Sequence, residues 1–141
     1  MGKTILYKIK AAFHDLGIRL VSNGSFYEFE YGHIPMLLSI DLKEHSVAFI
    51  THVVDSSDNS MDESVLNLAL DVVEEFHKDC YGDWNEGVPY FMSPCYSLKR
   101  VGNISAEWLK EQLKEFYDTF IFLEANIHLL CDSSICGATD G

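Results

Sequence analysis

The sequence predicts an α+β domain: an antiparallel sheet of about five to six strands with helices packed on one face, in the order α-β-β-β-β-α-β(-β)-α. Three observations predict it. From Ser105 to Leu130 the residues Leu109, Leu113, Phe116, Phe120, Leu123, Ile127 and Leu130 recur at alternating steps of four and three, which is one face of a helix. Between Ile18 and Val54 the chain instead alternates, or runs apolar in short segments, with Asn23-Gly24, Gly32 and Lys43-Glu44-His45 as breaks. Helical spacing then returns after Ser60. Helices grouped apart from a run of antiparallel strands bury their stripes on one face of that sheet.

The first helix is expected over Thr4 to Leu16, with Ile5, Leu6, Ile9, Ala12, Phe13 and Leu16 inward and Gly17 as the left-handed residue that stops it. Ile18 to Ser22 reads as a short strand, and Asn23-Gly24 turns it into a return strand from Phe26 to Tyr31. In that strand Tyr27, Phe29 and Tyr31 share one face, and Glu28 and Glu30 share the other. Pro35 to Leu42 and Val47 to Val54 complete a meander of about four strands. The last of them is apolar on both faces and therefore central.

An acidic loop, DSSDNSMDES, leads to a second helix ending near His77 or Lys78. Ser60 and Glu63 have capping-box spacing at its start. Tyr81 to Gly87 reads as a loop. Val88 to Val101 reads as extended chain, interrupted at Pro94, whose nitrogen cannot donate to a ladder. Ser105 is the expected N-cap of the long helix, with Glu107 in its first turn. Residues 1–130 are thus expected to form one domain, and 131–141, small and polar, a flexible tail.

Composition excludes several function classes. Against 22 Asp plus Glu stand 10 Lys plus Arg, a formal charge of −12. Such a surface repels phosphate backbones, so no nucleic-acid partner is expected, while a basic partner would be steered in. No run of 18 apolar residues is present, so no membrane span is expected. The mixed N-terminus does not read as a secretion signal. The four cysteines, Cys80, Cys95, Cys131 and Cys136, are irregularly spaced and are expected to be free thiols in a cytoplasmic protein.

No catalytic residue is expected, nor any cofactor or metal. The sequence holds no G-x-S-x-G, phosphate-binding glycine loop or G-x-G-x-x-G. His128, Cys131 and Cys136 supply at most three zinc ligands where a structural site takes four, and nothing in the sequence places His77 or Cys80 beside them. Asp55, Asp58, Asp62 and Glu63 lack the central glycine of a calcium loop. Two sets of residues remain as candidate sites. Trp108, Tyr117 and Ile121 widen the long helix's stripe beyond what one sheet face needs, and with Phe116 and Phe120 of the stripe they mark an expected protein interface and a homodimer. Tyr27, Phe29 and Tyr31 with His52 offer an aromatic pocket beside a candidate base.

One resemblance adds to this reading. Leu123-Glu124-Ala125-Asn126, His128 and Leu129-Leu130 resemble the YbjN family, proposed to act as bacterial sensory-transduction regulators. Looser likeness runs through Pro89 to Ser97, Ser105 to Trp108 and Ile40 to Phe49. The resemblance implies a fold like that of the type III secretion chaperones, which are small acidic proteins that dimerise and bind other polypeptides without ATP. It implies no catalytic residues. The function expected is that of a non-enzymatic protein-binding regulator or chaperone-like adaptor in the bacterial cytoplasm. The alternative is a small-molecule-binding domain or degenerate enzyme using the aromatic pocket near His52.

Overall fold

The computed structural model describes residues 2–53, 63–76, 80–85, 88–98 and 104–140, with side chains at 4–53, 64–76, 80–82, 89–98 and 104–130. The acidic loop before the second helix, the Ser60–Glu63 cap, His77, and the side chains of Cys131 and Cys136 lie outside the described residues.

Helix α1 spans Gly2–Asp15 and buries Ile5, Ile9, Ala12 and Phe13. Its end is a Schellman turn. Gly17 sits at φ +73°, its amide donates to the His14 carbonyl at 2.9 Å, and the Ile18 amide reaches back to the Phe13 carbonyl at 3.0 Å. Strands β1 (Val21–Asn23), β2 (Phe26–Tyr31), β3 (Ile34–Asp41) and β4 (Ser46–His52) follow as an antiparallel meander. Asn23 pairs with Phe26 and Tyr31 with Ile34, so both hairpins close through two residues. Gly32 and His33 both take positive φ, as the turn type that matches strand twist requires. The β3–β4 turn is held by Asp41, whose carboxylate accepts from the amides of Lys43 and Glu44.

Helix α2 (Glu63–Phe76) leads to β5 (Tyr81–Asn85), β6 (Val88–Met92), β7 (Tyr96–Ser97) and α3 (Ala106–Asp140). The sheet order is β1-β2-β3-β4-β6-β5, with β7 also paired to β4. The α+β class and the order of elements are as the sequence predicts, and β4 is central. Four details differ. Tyr81–Asn85 is an edge strand, not a loop. β1 begins at Val21, not Ile18. The extended stretch after Val88 divides into β6 and β7. The long helix continues past Leu130, where its apolar stripe ends, through Asp140.

The break at Pro94 is a bulge. Val47 pairs with Tyr96 and Ile50 with Met92, so three steps on β4 face four on its neighbour. Ser93 seals the gap. Its hydroxyl accepts from the Phe49 amide at 2.8 Å and donates to the Pro94 carbonyl, and its own amide donates to the Phe49 carbonyl.

The large buried strand side chains face the helices, and Ala48, also buried, lies on the other face opposite Ser39. Phe29 and Met36 pair across β2 and β3, Leu38 and Phe49 across β3 and β4. Aromatic rings run through this core. Phe13 meets Phe29 edge-on at 5.0 Å, Phe29 meets Phe49, and Phe91 stacks on Phe116 at 5.6 Å with planes 7° apart. Ser105 caps α3, its hydroxyl accepting from the Trp108 amide at 3.1 Å.

Candidate functional site: the open face of the sheet

Strand residues alternate between faces. With Phe29, Met36, Leu38, Phe49 and Phe91 turned to the helices, their sequence neighbours occupy the opposite face. Register then places Val21, Glu28, Leu37, Ile50, Met92 and Tyr81 in one row across six strands. Five of those six are apolar or aromatic. Leu37, Ile50 and Met92 at the centre are half-buried, and Val21 and Tyr81 at the ends are exposed. Tyr90, opposite His52, adds a half-buried ring beside the row. No described helix lies on this side.

Around the β2–β4 part of the row lies a shallow groove of about 430 Å³, lined by Arg19, Glu28, Glu30, Leu37, Ile50 and His52 among others. Its floor is aliphatic and its rim is charged. It is open, so it does not exclude water as a reaction chamber does. What such a surface does well is hold the apolar side chains of another chain, with the rim fixing register. Among the described residues no group of three His, Cys, Asp or Glu stands close enough to hold a metal ion.

The pocket expected from Tyr27, Phe29, Tyr31 and His52 does not form as one chamber, because the sheet separates its members. Phe29 is buried under the helices. Tyr31 meets Tyr117 of α3 edge-on at 5.5 Å, and Tyr27 lies under the Lys10 ammonium. His52 pairs with Tyr90 and stands exposed on the other face. The cause is the period of two: odd-numbered β2 residues and His52 fall on opposite sides of one sheet.

The interface expected on α3 also divides. Phe116 and Phe120 are 1% and 3% exposed, against Phe91 in the core. They are therefore not available to a partner of the folded chain. Trp108 is half-buried against Tyr96, Tyr117 is half-buried against Tyr31, and only Ile121 is exposed. Leu37, Ile50, Met92 and Tyr81 were not among the expected site residues. For Leu37 and Ile50 the signal in the sequence is the apolar run on β3 and β4, where a half-covered sheet would alternate.

No protein-family model and no curated protein sequence matches the chain. A solved structure does. The chain is similar to one in the structure of the HopA1–SchA chaperone–effector complex, with a TM-score of 0.60 and 12% sequence identity, over 86% of this chain and 96% of that one. At that identity the likeness is one of fold. It covers most of both chains, so the likeness extends over the domain and is not limited to one hairpin or helix pair.

Proposed function

We propose that this protein is a non-enzymatic, chaperone-like adaptor of the bacterial cytoplasm that holds another polypeptide on the open face of its sheet. The observation that carries the proposal is the apolar row from Val21 to Tyr81 on a sheet face that no described helix covers. The fold likeness to a chain of a chaperone–effector complex supports the choice of a polypeptide as ligand. The YbjN-like residues Leu123 to Asn126 and His128 to Leu130 support a regulatory family in bacteria. A homodimer belongs to the same proposal, with α3 contributing Ile121 and the exposed parts of Trp108 and Tyr117.

Two substitutions on half-buried aliphatics of the open face test the binding claim. Leu37→Ser with Ile50→Ser removes the centre of the row and leaves the buried core intact. Affinity capture from the native host is expected to recover a specific polypeptide with the wild type and to lose it with the double variant. Equal recovery by both, with circular dichroism showing both folded, overturns the assignment of this face. Sedimentation of the wild type decides the assembly claim: a monomer mass at every concentration refutes the dimer.

A further inference from the structure

A second apolar surface lies on the helical side of the molecule. On α2, Leu68, Val72 and Phe76 are spaced by four and form one row. Leu68 is 53% exposed and Phe76 is 69% exposed. Phe76 meets Phe122 of α3 edge-on, at 5.9 Å and 88°, so the row crosses from one helix to the other. Leu129, 66% exposed, stands two turns further along α3. Three large side chains held mostly in water are a cost unless something covers them.

One flank of this row is acidic. Asp71 and Glu75 are exposed on α2 beside Leu68. A depression along α3 runs from Glu111 past Glu115, Asp118 and Thr119 to Phe122. Among the described residues the one cation lining it is Lys114, and Asp118 already takes it at 2.8 Å. That hydrogen bond and charge hold the Lys114 ammonium above its ordinary range. Five carboxylates thus lie beside or along the apolar strip, with no cation left to answer them among the residues named.

We infer that the α2–α3 surface docks a cationic amphipathic helix of a partner polypeptide, with its apolar face on Leu68, Phe76, Phe122 and Leu129 and its Lys or Arg residues against the flanking acids. A helix fits better than a strand because neither α2 nor α3 offers a free ladder edge, and a helix satisfies its own backbone groups. A second copy of this chain fits poorly. Two-fold packing on this strip brings the flank of Asp71 and Glu75 against an equally acidic patch. The opposite charge, on a partner with helical apolar spacing, is the complement that remains. This site is separate from the open sheet face and does not depend on it.

The test uses the whole protein and two fluorescein-labelled Leu/Lys peptides of identical composition, one with apolar residues at helical spacing and one strictly alternating. Fluorescence anisotropy is expected to show tighter, saturable binding of the helical-pattern peptide. Leu68→Ser with Phe76→Ser, both on exposed side chains, is expected to weaken it roughly tenfold or more. Asp71→Asn with Glu75→Gln is expected to weaken it and flatten its salt dependence. Ile50→Ser, on the sheet face, is expected to leave it unchanged. Equal affinity for the two peptides, full binding by the Leu68→Ser, Phe76→Ser variant, or loss of binding in Ile50→Ser would each overturn the inference, as would no saturable binding.

Discussion

Gly32 shows how one residue can tie a turn to a helix. Its φ is +57°, and a Cβ there would run into the Tyr117 ring of α3. Gly32→Ala therefore adds backbone strain and displaces a ring that also packs on Tyr31. It is expected to cost about 1–3 kcal/mol in a denaturant titration. Ser93 acts through a single hydroxyl. Ser93→Ala leaves the buried Phe49 amide without its acceptor and is expected to cost about 1–3 kcal/mol. Hydrogen exchange at the Phe49 amide would rise if Ser93 plays this part, and would be unchanged if it does not. Some of this was legible. Gly17 and Asn23-Gly24 announce their turns through backbone preference alone. Ser93 announces nothing, because its partner is set by a bulge whose register depends on β4, more than forty residues earlier in the chain.

At the scale of elements, periodicity located the helices and could not say what each face meets. The α3 stripe was plain in the sequence. Its width invited an interface, yet Phe116 and Phe120 fill the gap under Phe91 and Phe49. Phe116→Ala is accordingly expected to cost about 3–5 kcal/mol of stability, as for other buried aromatics. Phe116→Glu is expected to unfold the chain and not to release a folded monomer. Near-native thermal stability for Phe116→Glu would contradict this placement. β5 was hidden for the opposite reason. Tyr-Gly-Asp-Trp-Asn carries Gly, Asp and Asn, which disfavour strands in isolation. Here the strand is recruited by pairing with β6, and its glycine makes room for Leu70 of α2.

At the scale of the molecule, the three described helices crowd one side of a seven-stranded sheet, and among the described residues no helix covers the other. The fold class followed from segment order, since helices and antiparallel strands segregate in only a few ways. The face that remains open did not follow, because it depends on where the helices go. That is why the apolar run of β4 read as a central strand buried on both faces. The net charge of −12 belongs to this scale as well. A basic partner is expected to associate more slowly as salt rises, with dissociation nearly constant, because screening acts on the encounter and not on the dry contact. Stopped-flow measurement at several ionic strengths checks it, and a salt-independent association rate would refute steering.

The central claim is that another polypeptide lies across the open sheet. Its most direct test is a photo-activatable amino acid placed at Ile50 in the native host, with a matched substitution at Lys43 in the β3–β4 turn as control. Mass spectrometry of the cross-linked products is expected to find a distinct polypeptide adduct at position 50 and none at position 43. No adduct at position 50, or the same adducts at both positions, would contradict the claim.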